Sequence, residues 1–256
     1  MLLGIDVGNT EIEFGWFEND RLQKSWRIAT GVNRTEDEFM VFVHHFLALS
    51  GIRITEVKAV AISSVVPTVT RILTKLCRKY LNLEPLIVDH TLNLGIKINY
   101  ANPANVGADR ICNAVAAYQR YRQACIVIDL GTATTFDVIN QDGEYLGGLI
   151  SPGLETTSWA LAQRAAKLPK INLEFPESAI GRNTEESMKV GIMLGAVKMI
   201  DGLVEEILNE LQQPCRVIAT GGLARLIQPR TKYVEEYVSD LVLLGLYQIY
   251  QMNSHK

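Results

Sequence analysis

Residues 124–135 read Ala124-Cys125-Ile126-Val127-Ile128-Asp129-Leu130-Gly131-Thr132-Ala133-Thr134-Thr135, and the chain opens on a close variant of the same phrase, Leu2-Leu3-Gly4-Ile5-Asp6-Val7-Gly8-Asn9-Thr10. In each, a short apolar run ends in Asp-x-Gly, and an alternating pattern then resumes, through Ile12, Phe14 and Trp16 in the first and Phe136, Val138 and Ile139 in the second. A buried run, a tight turn and a half-buried run predict two strands joined at a sharp corner. One Asp-x-Gly is an ordinary turn, because aspartate and glycine are common turn residues. Two in equivalent places mark an internal repeat.

Outward from the first copy, the Asn19-Asp20 turn leads to a third strand over about 22–28, and Thr35 with Glu38 forms a capping-box start for a helix reaching about Leu49. A β-branched strand over 57–63, a helix over 67–80 that opens on Pro67 and a short strand over 86–88 follow. Outward from the second copy, the Asp142-Gly143 turn leads to a strand over 145–150. Helices are predicted over 155–167 and 185–211, the latter capped by Asn183 or Thr184, then a strand over 216–220 and a terminal helix from about Asp240. The first half therefore reads βββαβαβ and the second has the same grammar. Two related domains facing a cleft are expected, 1–106 and 107–256, divided where Asn-Pro and small polar residues interrupt the pattern over 99–106 ahead of a helix starting at Gly107 or Ala108.

The 256 residues, 48% of them apolar, suffice for one large core or two modest ones. A net charge of -3 gives no basic field to draw in nucleic acid or an anionic membrane. Met1 runs straight into a strand-like segment without a signal pattern, and no stretch approaches the roughly 20 apolar residues of a membrane span, so a cytoplasmic protein is expected. Cys77, Cys112, Cys125 and Cys215 are scattered without metal-ligand spacing and read as reduced core thiols. His44, His45, His90 and His255 have no evident partner, and Trp16 with Phe14 reads as core.

The two turns suggest phosphate chemistry. Their glycines allow close backbone approach, and the amides with Asn9 and Thr10 can donate to phosphate oxygens. Asp6 at a strand end cannot bind a phosphate directly, so its expected task is to hold magnesium, through water, against a phosphate chain. Asp129, Gly131 and Thr132 would grip the phosphates from the other domain, and Gly221-Gly222 after the strand over 216–220 would admit an adenosine. Neither a Gly-x-x-x-x-Gly-Lys-[Ser/Thr] loop nor a Gly-x-Gly-x-x-Gly after a strand is present in the sequence, which disfavours P-loop and dinucleotide-binding folds.

Taken in order, Asp6-Val7-Gly8-Asn9-Thr10, Gly107-Ala108-Asp109-Arg110, Asp129-Leu130-Gly131-Thr132-Ala133-Thr134-Thr135 with Asp137, Gly147 to Gly153, Gly181-Arg182-Asn183-Thr184 and Thr220-Gly221-Gly222 resemble the type III pantothenate kinases, nearly end to end. The resemblance implies an α/β, actin/hexokinase-like (ribonuclease H-like) fold and ATP-dependent phosphorylation of pantothenate. It implies an ATP loop made of Asp6, Val7, Gly8, Asn9, Thr10, Glu11, Ile12 and Glu13, with Thr132 as a further ATP contact. Tyr100, Gly107, Ala108, Asp109, Arg110 and Thr184 would line the pantothenate site, with Asp109 as catalytic base. Asp129 would be tied to a monovalent cation, K+ or NH4+, beside a divalent ion such as Mg2+. A homodimer is implied, its helical region around Thr184 reaching the neighbour's active site, and Gly191 with Gly195 would permit close helix packing. An aspartate beside a primary hydroxyl can take its proton, and an arginine can pair with a carboxylate; pantothenate offers both groups.

Residue by residue, plainer readings stand beside these: Asp109-Arg110 as a first-turn acid and surface pair, Tyr100 as a packing residue, Thr184 as a helix cap, Asp137 facing either a cation or solvent. Glu11 departs from the family's usual small or amide residue and adds a negative charge at the proposed phosphate loop. The alternatives are a kinase of another small hydroxy compound on the same fold, a nucleotide-binding regulator without turnover, and, last, a filament protein.

Overall fold

The structure, a computed structural model, describes residues 1–254; His255 and the end of the expected second domain lie outside the described residues. It groups into two compact units, Met1–Arg120 with the C-terminal stretch from Leu241, and Tyr121–Asp240.

In the first unit the strands are β1 (Leu2–Val7), β2 (Glu11–Glu18), β3 (Arg21–Ala29), β4 (Ala59–Ser64) and β5 (Leu86–Ile87), in the order β3-β2-β1-β4-β5. The β1–β2 and β2–β3 pairs are antiparallel, and β1–β4 and β4–β5 are parallel. Helix α1 (Glu36–Leu49) begins at Thr35 with the predicted capping box, and α2 (Pro67–Leu76) carries its proline in the first turn and ends in a π-turn over 77–81. A short β6 (Lys97–Ile98) and a 3-10 turn over 103–105 precede α3 (Ala108–Tyr121).

Strand alternation sorts the two faces of this sheet. Leu3, Ile5 and Val7 point into a core with Phe14, Trp16, Phe39, Val43, Leu47, Val69 and Leu73 under α1 and α2, while Phe46 stacks on Trp26 with centroids 5.6 Å apart. Gly4 and Gly15 face the other way, beneath Leu243 and Leu246 of α8 (Leu241–Asn253), and Phe17 stacks on Tyr247 at 4.7 Å. Helix α3 lies against α8 on that face, because a Cβ on Gly245 would sit only 1.9 Å from the Cys112 carbonyl oxygen.

The second unit repeats the plan with β7 (Cys125–Leu130), β8 (Ala133–Ile139), β9 (Glu144–Pro152), β10 (Arg216–Thr220) and β11 (Glu236–Tyr237). Within the unit they run β9-β8-β7-β10-β11, the same order and the same change from antiparallel to parallel pairing as in the first. Helix α4 (Leu154–Arg164) follows β9, and α5 (Thr184–Lys189), a π-turn over 190–194 and α6 (Gly195–Leu211) replace the single predicted helix over 185–211. Ile126, Ile128 and Leu130 bury against Met193, Val197, Ile200 and Val204, and the short α7 (Ala224–Ile227) follows Gly221-Gly222.

The compact units differ from the 1–106 and 107–256 division because α3 ends the first repeat and α8 the second, yet both group with the first sheet. The α3–α8 contact leaves no space at Gly245. Gly245→Ala should therefore lower the midpoint of urea unfolding by the equivalent of about 1–3 kcal/mol; an unchanged midpoint would mean the two helices do not touch backbone to side chain there.

Candidate active site

The alternation that buries Leu3, Ile5 and Val7 turns Asp6 toward the α3 face of its sheet. Asp6 is half-buried, and Ser63, its register partner on β4, donates from Oγ to Asp6 Oδ1 at 2.7 Å. The following turn is closed by the Gly8 amide donating to the Glu11 carbonyl at 2.9 Å. Thr30, just past β3, pins it from behind, with Oγ1 donating to the Gly8 carbonyl at 2.7 Å and its amide to the Thr10 carbonyl at 2.8 Å. Asn9, Thr10 and Glu11 are exposed, so the Glu11 carboxylate sits in water. Val7 and Ile12 are core side chains and offer a ligand only their backbone, and Glu13 is paired with Arg27 at 3.0 Å.

Asp109 sits in the first turn of α3, half-buried, with the Arg110 amide donating to its Oδ1 at 2.7 Å. Burial pushes its carboxyl above the ordinary aspartate range, against the opposing effect of the Arg110 amide and charge. One helical turn on, Cys112 shares the Asp109 face. Its thiol is fully buried beside Ser63 and feels the charges of Asp6 and Asp109; burial first and those charges second hold it well above the usual thiol range. The first unit thus assembles Asp6, Ser63, Cys112 and Asp109 in one cluster. Tyr100 is exposed in the loop before the 3-10 turn, and Gly107 and Ala108 lead directly into α3.

The second unit builds the matching corner. Asp129 ends β7 half-buried, opposite Thr220 of β10. Gly221 has φ of 91°, and a Cβ there would lie 2.6 Å from Asp129 Oδ1 and 2.8 Å from the Leu130 backbone, so only glycine fits. The Gly131 amide donates to the Ala133 carbonyl at 3.0 Å, and Thr156 Oγ1 donates to the Thr132 carbonyl at 2.6 Å, holding this turn as Thr30 holds the first. Thr132 and Gly222 are exposed. Asp137 is fully buried and accepts from the Tyr145 hydroxyl at 2.9 Å, so the solvent-facing alternative is corrected.

Thr184 opens α5. Asn183, not Thr184, caps α5, its side chain accepting from the Glu186 amide at 2.9 Å; Thr184 is exposed as the first helical residue. It borders an open hollow of about 420 Å³ with Thr157, Leu161, Leu168, Met188 and Gly191. Ser63, Thr30 and Thr156 were missed by sequence reasoning. Thr30 and Thr156 look like any loop or helix threonine, and Ser63 is placed only by a pairing 57 residues long.

A family model described as type III pantothenate kinase matches residues 2–206. A relative of that name from Desulfatibacillum aliphaticivorans is 49% identical over 256 residues, covering all of both chains, and one from Citrifermentans bemidjiense is 46% identical over 253 residues, 99% of this chain and 100% of the relative. The chain belongs to this family. Among solved structures it is similar to a Campylobacter jejuni protein described as a Baf family transcriptional activator (TM-score 0.65, 19% identity, 99% and 100% coverage). It is also similar to a ROK family glucokinase of Streptomyces griseus (TM-score 0.52, 14% identity, 97% and 98% coverage). These likenesses establish the actin/hexokinase-like fold. As a type III pantothenate kinase the chain is a kinase, with ATP as phosphoryl donor and a divalent metal as its companion.

The donor set fits such a metal. Among the described residues no three His, Cys, Asp or Glu side chains gather into a protein cage. A lone hard carboxylate at Asp6 beside a turn of backbone amides suits magnesium, which keeps its waters and takes phosphate oxygens as further ligands.

The raised pKa of Asp109 has a stability consequence. The folded state holds this proton more tightly than the unfolded state does, so its contribution is intact below the unfolded pKa and is lost as pH rises through the folded one. Asp109→Asn should therefore melt above wild type at neutral pH, and the gap should close as pH falls below the ordinary aspartate value of about 3.9. A gap independent of pH in thermal melts would count against a buried, ionised Asp109.

Proposed function

We propose that the chain transfers the γ-phosphoryl group of ATP to the primary hydroxyl of pantothenate, giving 4′-phosphopantothenate, the first step of coenzyme A synthesis. The observation that carries the reading is the clustering of Asp109 with Asp6 through Ser63 and Cys112, a candidate base for the acceptor hydroxyl beside a candidate metal carboxylate. Asp109 accepts the hydroxyl proton, and its elevated proton affinity makes it a better base than an exposed aspartate. Arg110 pairs with the pantothenate carboxylate, Tyr100, Gly107 and Ala108 line that pocket, and Thr184 is contributed to it by the neighbouring copy.

Asp6 would hold a magnesium ion, and Gly8, Asn9, Thr10 and the following residues to Glu13 would present backbone and side-chain groups to the phosphates. Magnesium, when bound, neutralises charge between the phosphates. Thr132 adds a second contact to the phosphates, Gly221 and Gly222 receive the adenosine, and Asp129 holds the monovalent cation, K+ or NH4+. Exposed Glu11 is screened by water and counterions, which limits its repulsion of ATP.

The same reading makes the protein a homodimer. The second unit exposes Ile150, Trp159 and Ile180 at 67%, 60% and 78%, large apolar side chains of the kind a subunit interface covers. The hollow beside Thr184 belongs to that unit, consistent with a neighbour's active site being completed there. The described residues contain no helix long and apolar enough to cross a membrane, and a cytoplasmic location agrees with a coenzyme-synthesis enzyme.

The test is to incubate the protein with Mg-ATP and potassium, with and without pantothenate, following ADP and 4′-phosphopantothenate. Wild type should form both only with pantothenate and need potassium, and Asp109→Asn should lower kcat by about 10²- to 10⁴-fold. Nucleotide binding without pantothenate-dependent ADP would defeat the kinase reading and leave a nucleotide-binding regulator. In the same preparation, Trp159→Glu should shift light-scattering mass from dimer to monomer.

A further inference from the structure

Ser63 is fully buried on β4, in a run, Ala59-Val60-Ala61-Ile62, where an apolar side chain would serve the core as well. A buried hydroxyl without a partner is unfavourable, so its retention calls for a use. Its one proton is committed to Asp6 Oδ1 at 2.7 Å. The Cys112 thiol of α3 packs beside the same hydroxyl. The result is a line of contact from α3 to β1 that passes through Cys112, Ser63 and Asp6. It starts one helical turn from Asp109 and ends on the carboxylate at the mouth of the phosphate turn.

We propose that Ser63 is a positioning residue for the divalent metal: by fixing one oxygen of Asp6 it sets the orientation in which that carboxylate meets the metal's water shell. The proposal rests on the assignment of Asp6 to the metal. Partners that orient a metal-side carboxylate influence binding nearly as strongly as the groups nearer the metal, and their removal weakens metal affinity or activity by about 10–100-fold. A side chain that merely fills the core would alter stability and leave metal dependence alone.

Ser63→Ala removes one atom and tests the idea in the full chain. Bound Mn2+ is followed by electron paramagnetic resonance in the presence of a non-hydrolysable ATP analogue, alongside thermal melting and steady-state kinetics. The expected result is about 10–100-fold weaker Mn2+–nucleotide binding. It is accompanied by a kcat loss that recovers as magnesium is raised and an unchanged KM for pantothenate, whose contacts lie on α3 and elsewhere. Mn2+ affinity equal to wild type overturns the proposal. Should Ser63→Ala fail to fold, Ser63→Cys decides, since a thiol fills the site but donates only weakly: weaker Mn2+–nucleotide binding supports the proposal, and wild-type affinity overturns it. Wild type that binds Mn2+ with nucleotide yet makes no 4′-phosphopantothenate would defeat the substrate reading alone, whereas wild type that holds no Mn2+ with nucleotide would overturn the role of Ser63.

Discussion

A strand buried on both faces must still send alternate side chains to opposite sides, and that constraint on β1 organises the first unit. Leu3, Ile5 and Val7 are taken by the core under α1 and α2, which leaves Gly4 and Asp6 for the face covered by α8 and α3. A glycine beneath Leu243 and Leu246 lets α8 come close, and α8 in turn takes α3 at Gly245. Helix α3 carries Asp109 and Cys112, so the packing that seals the sheet also brings Asp109 to the strand that carries Asp6. Moving β1 by one residue would bury Asp6 among Phe14 and Phe39 and turn Ile5 outward, so register and chemistry are inseparable.

The two corners are held in the same way by unrelated parts of the sequence. Thr30 fastens the Gly8 carbonyl from the end of β3, and Thr156 fastens the Thr132 carbonyl from α4. Each bond uses a carbonyl that the tight turn leaves pointing backward, and leaves Asn9, Thr10 and Thr132 exposed. A turn fixed from behind keeps its amides in place before a phosphate arrives, so less conformational freedom is lost on binding.

The repeat was legible because each signal is local: an apolar run, Asp-x-Gly and resumed alternation lie within a dozen residues, and the Thr35–Glu38 capping box within four. Asp6 and Asp129 could therefore be placed beside their turns in advance, whereas Asp109 was singled out only through the family resemblance. Ser63 could not be picked out, because its partner lies across a parallel ladder and a buried serine in an apolar strand resembles a tolerated exception. The grouping of α3 and α8 with the first sheet was hidden for the same reason, since it depends on a glycine-to-carbonyl approach between helices at opposite ends of the chain. The π-turns at 77–81 and 190–194 change the hydrogen-bond partner without changing the side-chain period enough to mark the sequence.

Two carboxylates beside one buried thiol make a thiolate there unfavourable, since each raises the energy of its charge. The fold gives each carboxylate one short hydrogen bond, Ser63 to Asp6 and the Arg110 amide to Asp109, and divides the two by their surroundings. Asp6 accepts from a hydroxyl across the β1–β4 ladder. Asp109 is set where burial outweighs its stabilising amide, which raises its affinity for a proton. The same face thus holds two identical side chains in different surroundings, one bonded to a hydroxyl of the neighbouring strand and one to an amide of its own helix.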